Sequence, residues 1–435
     1  MKHIFIVCDD PSLNTGYARV GRFVAKTLVA AGYKVTYLPC NAMLPGYDYS
    51  ELPYTVESYQ TYDRYWVRRA PELLAKYKPS CVLVFGEFLL VGHMGMFSRD
   101  AGITSVYYMP VEGEGYPPKS INTNQGVIEF DATLLRFSHV VAYSTFGAEE
   151  INKTFPGLCS TTIPHAVDTN IFKPLNRDQI FKTYLPNENR EHTVIIGHVG
   201  RNQRRKGTDL VVTSFAQYLH ADYRPQDQKP LLMLVTDPTD PDGFNLYEML
   251  ERYSLGGSVV MVPVIGGKQG PPDSQLAEIY NLFDIHLCPH RGEGFGLNVA
   301  EGRACGTYTL TTNYATPPEF CNDAYSGCIN PDWLDHVPTI NTRWAAINSS
   351  TILSELMLRV PMAKAMTEED RQGVHAFMQS TYSEEVVAGH WLKFIASLQL
   401  PEAEDVARPN TVLTPAQEQE QKLVQTYFKN VLRAK

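Results

Sequence analysis

The stretch PHRGEGFGLNVAEGRACG (289–306) sets two glutamates, Glu293 and Glu301, eight positions apart, with Gly294 and Gly296 between them. It follows the apolar run DIHLCP, a strand pattern, and leads into a helix. The glycines let backbone pass close to a ligand. The amides of Gly296, Leu297 and Asn298 fall at the helix N-terminus, where an anionic diphosphate is favoured. Glu293 is expected in the loop before the helix and Glu301 on its first turns. Two carboxylates flanking an anion site suit hydroxyls of sugars on either side of the phosphates.

A second strand, loop and helix, GHVGRNQRRKGTDLVV (197–212), carries Arg201 and Lys206, with Gly207 allowing a tight turn into the helix. Charge-assisted bonds from arginine and lysine are what a departing diphosphate needs. Taken alone such a loop reads as a solvated surface, and only its company with the first motif makes it a site. A third stretch, GYDYSELPYTVESYQTYDRYWVRR (46–69), is dense in aromatics and arginines. Its rings, Tyr62 and Trp66 among them, suit stacking on a sugar or base, and Arg64, Arg68 and Arg69 suit phosphate. The reading preferred for the stretch is aromatic packing of a long loop and helix onto the first domain.

In open α/β sheets, ligands bind beyond the carboxyl ends of the strands. The first 40 residues read as strand, loop, helix and strand: HIFIVC, DDPSLNTGYAR, VGRFVAKTLVAAG and YKVTYLPC. A right-handed crossover then implies a parallel sheet. Further apolar strands are expected at 81–86, 104–109 and 139–144. A second series starts at TVIIGHVGR (193–201) and continues at 230–236, 258–265, 284–289 and 307–312. The predicted fold class is therefore α/β, with two Rossmann-like domains facing a cleft and helices at the C-terminal end. The expected divisions are 1–175 for an N-terminal Rossmann-like domain, 176–192 for a polar linker, 193–375 for a C-terminal Rossmann-like domain, and 376–435 for helices returning onto the body. The last of these includes an amphipathic pattern with Leu423, Val424, Tyr427, Phe428 and Val431 on one side.

The bulk numbers agree with this frame. A chain of 435 residues, 44% hydrophobic and 20% charged, is long enough for two globular cores. No stretch approaches the roughly 20 apolar residues of a spanning helix, and MKHIFIVCDDP reads as a first strand rather than a leader, so a cytoplasmic protein is expected. Peripheral contact with a membrane stays open. Eight scattered cysteines without a C-x-x-C pair point to free, mostly buried thiols. The net charge of −9 disfavours nucleic acid as a partner without closing it off.

The runs VGRNQRRKG and LAEIYNLFDIHLCPHRGEGFGLNVAEGRACG, followed by Pro318-Glu319, resemble the nucleotide-binding domain of the large retaining glycosyltransferase family usually called family 4, of GT-B fold. VVAYSTFGAEEI and TIPHAVDTNIFKP resemble the end of that family's first domain. The similarity covers most of residues 1 to about 397, the N-terminal third mainly in layout. What it implies is a retaining transfer of a sugar from a nucleotide diphosphate donor, a UDP-sugar being favoured, with no metal and no other cofactor. By motif, Arg201 and Lys206 would hold the diphosphate, Glu293 the transferred sugar and Glu301 the ribose. The backbone at Gly296 and Leu297 would complete the phosphate site, and the loop Asn14, Thr15 and Gly16 would close on it. The family's first-domain histidine has no counterpart in TSVYYMPVEGEGYP, where Glu112 or Glu114 stands in that neighbourhood as a candidate contact to sugar or acceptor. Asp240 and Asp242, a D-x-D in a turn-like loop, are not expected to hold a metal.

The acceptor is not identified by the sequence. A carbohydrate or glycoconjugate hydroxyl is the first expectation, a lipid-linked glycan the second, and a hydroxymethylpyrimidine base of DNA a third. The same fold also serves epimerases, phosphorylases and non-catalytic sugar-nucleotide-binding proteins. A pyridoxal phosphate enzyme would need a Schiff-base lysine, and no lysine stands in such a context. Base contacts are expected from the backbone of the loop VPVIGGKQGPP (262–272).

Overall fold

The computed structural model describes residues 1–402, apart from 42–45, 124–125, 130–133, 223–224, 226, 265–269 and 339. The expected C-terminal amphipathic segment and the middle of the 262–272 loop lie outside the described residues.

The first domain is built on seven strands: β1 (His3–Asp9), β2 (Lys34–Cys40), β3 (Thr55–Val56), β4 (Cys81–Phe85), β5 (Thr104–Met109), β8 (His139–Ala142) and β9 (Cys159–Thr162), with a separate hairpin of β6 (Ser120–Thr123) and β7 (Gly126–Glu129). The sheet order is β3-β2-β1-β4-β5-β8-β9 and every pairing is parallel. The second domain repeats the plan with β10 (Thr193–Val199), β11 (Lys229–Thr236), β12 (Val259–Pro263), β13 (Ile285–Cys288), β14 (Tyr308–Thr312) and β15 (Ser326–Ile329), in the order β12-β11-β10-β13-β14-β15. An antiparallel hairpin, β16 (Trp333–Val337) and β17 (Thr342–Ala346), follows. All residues of β1 and β10 are buried, as expected of strands covered by helices on both faces. In each sheet the order reverses beside the first strand, so crevices open at the carboxyl ends of β1 and β10.

The Gly16–Ala30 helix begins earlier than the apolar pattern suggested. The Thr15 hydroxyl accepts from the Ala18 amide at 3.1 Å, which caps the first turn, and donates to Asp9 at 2.6 Å. Gly21 sets the helix close on the sheet, since a Cβ there would lie 2.3 Å from the Tyr37 hydroxyl.

Two of the expected divisions fall within ordered elements. The segment 176–192 contains a helix, Arg177–Tyr184, capped by Asn176 and anchored by buried Ile180 and Phe181. Arg177 and Arg190, also from this segment, meet Asp284 at 3.0 and 2.6 Å. The Asp284 carboxyl is fully buried and also accepts from the Ile195 amide at 2.8 Å. Residue 376 is not a boundary: it falls inside the Glu368–Tyr382 helix, whose Thr367–Asp370 capping box fixes an earlier start.

The chain crosses between the domains twice. The Glu384–Ser397 helix returns to the first domain, where buried Trp391 lies 5.8 Å from the Phe85 ring and 5.0 Å from that of Tyr108. The crossings are bonded to each other, with the Val167 amide donating to the Tyr382 carbonyl at 2.8 Å. All eight cysteines are free thiols, and only Cys328 is partly exposed. Among the described residues no helix is long and apolar enough to cross a membrane.

Candidate active site

The two motif loops of the second domain are strapped together where β10 and β13 end. After β10 a short turn, Arg204–Lys206, closes on Gly207, which has a φ of 70°. A Cβ at Gly207 would lie 2.3 Å from the Pro289 carbonyl oxygen, so only glycine admits the second loop. The Arg291 amide donates to the Arg205 carbonyl at 2.8 Å, and its guanidinium meets Asp209 at 2.7 Å. Gly207→Ala combines a left-handed backbone with a backbone clash, so we expect a loss of about 2–3 kcal/mol of stability, read as a lowered urea midpoint.

This strapping presents Lys206 to Glu293, Nζ to Oε2, at 2.5 Å. The same oxygen lies 3.3 Å from Arg205 Nη1 and 3.2 Å from His290 Nδ1. Burial alone would raise the Glu293 carboxyl, but Lys206 and Arg205 overcome it and hold the group well below the usual range. Burial keeps His290 neutral, its own value being pushed far down. Arg205 also donates to the Gly292 carbonyl at 2.8 Å and pairs with Glu112 of the first domain at 3.0 Å. Burial raises the Glu112 carboxyl against the pull of Arg205. A Cβ on Gly292 would lie 2.1 Å from the Glu112 carbonyl oxygen, so the two domains meet here backbone to backbone.

Gly296, at φ 94°, opens the Leu297–Ala304 helix, and Glu301 lies inside that helix, 2% exposed. Glu301 Oε1 accepts from Arg19 Nη1 at 2.6 Å and Oε2 from the Tyr280 hydroxyl at 3.0 Å. Gly16 stands opposite, where a Cβ would touch the Leu297 side chain at 3.6 Å. Glu319 fixes the domains together from the other side, accepting from the Thr145 and Phe146 amides at 3.2 and 2.9 Å.

The structure therefore gathers Lys206, Glu293 and Glu112 in one cluster, and Gly16, Leu297 and Glu301 in the neighbouring one. Arg201 joins neither: it pairs with Asp240 at 2.6 Å and Asp242 at 2.8 Å, which accounts for both carboxylates of the D-x-D. Glu114 is tied into a clamp with the β16–β17 hairpin, pairing with Arg343 and accepting from its amide at 2.9 Å through the backbone. Trp66 lies with the packing reading of its stretch. It is 1% exposed within the first-domain core, and its indole donates to the Pro39 carbonyl at 3.0 Å. Tyr62 is 64% exposed. Among the described residues no group of histidine, cysteine, aspartate and glutamate is arranged to hold a metal.

Sequence reasoning missed Arg205, Arg19 and Tyr280. Arg205 lay within the quoted basic motif, but nothing in its spacing distinguished it from Arg204. Arg19 and Tyr280 act through contacts that no local pattern records.

Residues 179–333 match the family described as glycosyl transferases group 1. The matched residues run from the Arg177–Tyr184 helix to the start of β16 and include both motif loops. The chain is 28% identical over 217 residues to D-inositol 3-phosphate glycosyltransferase 1 of Catenulispora acidiphila, covering 47% of each protein. It is 26% identical over 298 residues to the D-inositol 3-phosphate glycosyltransferase of Segniliparus rotundus, covering 64% of this chain and 60% of that one. The matches thus span about half to three fifths of these curated relatives. In fold, the two domains together resemble the sucrose-phosphate synthase of Thermosynechococcus elongatus, with a TM-score of 0.69 at 18% identity over 92% of this chain and 99% of that one. HepE of Anabaena, solved with UDP and glucose, gives 0.66 at 14% identity over 91% and 100%. The architecture is that of the GT-B glycosyltransferases.

Proposed function

We propose that this protein is a retaining, metal-independent glycosyltransferase that moves a sugar from a nucleotide diphosphate sugar to the hydroxyl of a carbohydrate or glycoconjugate. The observation that carries the reading is the convergence of Lys206 and Arg205 on Glu293, directly ahead of the helix opened by Gly296, with Glu301 buried farther along that helix. A diphosphate laid against the helix amides meets the Lys206 ammonium as charge grows on the leaving group. Glu293 accepts from hydroxyls of the transferred sugar, and Glu301 from those of the ribose. Glu112 faces this site through Arg205, and it is this glutamate that we place beside the reacting sugar. The sugar passes through an oxocarbenium-like state. On this reading the donor phosphate takes the acceptor proton on the same face. A UDP-sugar is the favoured donor, in keeping with HepE, which shares the fold and has been solved with UDP-glucose. We place the activity in the cytoplasm.

The reading is tested by thermal shift against UDP, GDP, ADP and CDP and their common sugars, because a ligand that binds the native state alone raises the melting temperature. We expect one base to stabilise the protein, by about 2.7 kcal/mol at a hundredfold excess over Kd, and the shift to disappear in Lys206→Ala and Glu301→Gln. Absence of a shift with every nucleotide would sink the donor-site assignment.

A further inference from the structure

We propose that Arg19 is a positioning residue for the donor's ribose: reaching across from the first domain, it grips the Glu301 carboxylate and orients it to accept from ribose hydroxyls. The proposal rests on the donor-site reading above and adds a residue from the opposite domain to it.

Glu301 is buried in the second domain, and a buried carboxylate needs a counter-charge. The groups facing it within that domain supply none. Burial raises the Glu301 carboxyl and Asp273 adds to the rise against the pull of Arg19; Tyr280 donates a neutral hydroxyl, and Cys305, at the end of the same helix, is a thiol that burial keeps protonated. Arg19 is the cation that reaches it. It sits three residues beyond Gly16 on the helix that closes over Leu297, and its side chain is only 23% exposed. Its two terminal nitrogens are divided between Glu301 at 2.6 Å and Asp273 at 3.4 Å, and its guanidinium lies 5.8 Å from the Phe172 ring centre. The fork is therefore held at several points, which fixes the carboxylate it grips.

Each carboxylate oxygen has two lone-pair directions. One on each is used, by Arg19 and by Tyr280, leaving one on each for the hydroxyls of a ribose. Arg19 therefore does not compete with the donor. Removing it while Glu301 stays buried favours the protonated carboxyl, which offers a weaker acceptor and is free to rotate. The ribose-binding group is complete only while the Gly16–Ala30 helix lies against the second domain, which ties nucleotide recognition to the apposition of the domains.

The test is calorimetric binding of UDP, ADP and GDP and of their 2′-deoxy forms to the full chain, as wild type, Arg19→Met and Arg19→Lys. Wild type should prefer the ribonucleotide by about 10-fold or more, the worth of a hydrogen bond to a charged group. In Arg19→Met that preference should fall to within about 2-fold, with affinity for the ribonucleotide down about 10-fold or more. Arg19→Lys should restore part of the preference, since lysine keeps the charge without the fork. An Arg19→Met protein that binds more weakly but keeps the wild-type preference for ribose would overturn the proposal, because Arg19 would then only brace the domains. Wild type that binds none of the nucleotides would instead overturn the donor-site reading and this proposal with it. If Arg19→Met does not fold, Arg19→Lys decides: an unchanged preference counts against the proposal and a reduced one supports it.

Discussion

Lys206→Met is expected to lower kcat/KM for the donor chosen by the binding screen by about 10²- to 10³-fold, the range found when one preorganised charge is removed from a transition state. Release of nucleoside diphosphate, followed over time, reads the effect. Most of the loss should fall on kcat, because the lysine's attraction strengthens as charge accumulates on the departing phosphate. Methionine keeps much of the aliphatic bulk, so the strap between the two motif loops stays filled. Glu293 would keep Arg205 at 3.3 Å and the neutral ring of His290 at 3.2 Å. The circular dichroism spectrum should therefore match wild type. A variant with near wild-type kcat would remove Lys206 from the chemistry and turn attention to Arg205.

The largest expected loss of stability lies away from the cleft. Asp284 is fully buried between Arg177 and Arg190, and Asp284→Ala leaves two guanidinium groups without their shared carboxylate. Removing one partner from a buried ionic cluster costs about 3–5 kcal/mol. The Ile195 amide also loses its acceptor at the start of β10. Chemical denaturation at neutral pH should show the second domain unfolding first. The pH dependence has a definite sign. Burial would raise the Asp284 carboxyl, but Arg177 and Arg190 overcome that and hold it below the usual range. A depressed carboxyl contributes in full above its unfolded value of about 4 and loses that contribution as pH falls through the folded value. The gap between wild type and Asp284→Ala should therefore be widest at neutral pH and narrow on acidification.

Legibility in the sequence differed from residue to residue. Lys206 and Glu293 stood out because glycines, charges and strand ends fell together within short windows. The central strands were equally plain, since a strand buried on both faces is written as an unbroken apolar run, as in HIFIVC and TVIIGHV. Short or half-exposed elements lack that mark. β3 has two residues, and most of WLDHV in β16 faces solvent. The Arg177–Tyr184 helix passed for a linker because its two buried residues, Ile180 and Phe181, are surrounded by polar ones. Trp66 shows a further limit: an aromatic-rich stretch gives no sign of which rings point inward, and this one is drawn into the core by an indole bond to Pro39. Arg19 and Glu301 are 282 positions apart, so their pairing could emerge only once the chain was folded.

The double crossing makes the second domain a covalent insert in the first. Residues 1–162 and the returning Glu384–Ser397 helix belong to one body, and the Met1 amino group even meets Glu402 at 2.6 Å. A protease that nicked one crossing would leave the insert tethered by the other. Because the two tethers are joined at Val167 and Tyr382, the insert leaves and re-enters the first domain at one place, like a loop closed at its neck.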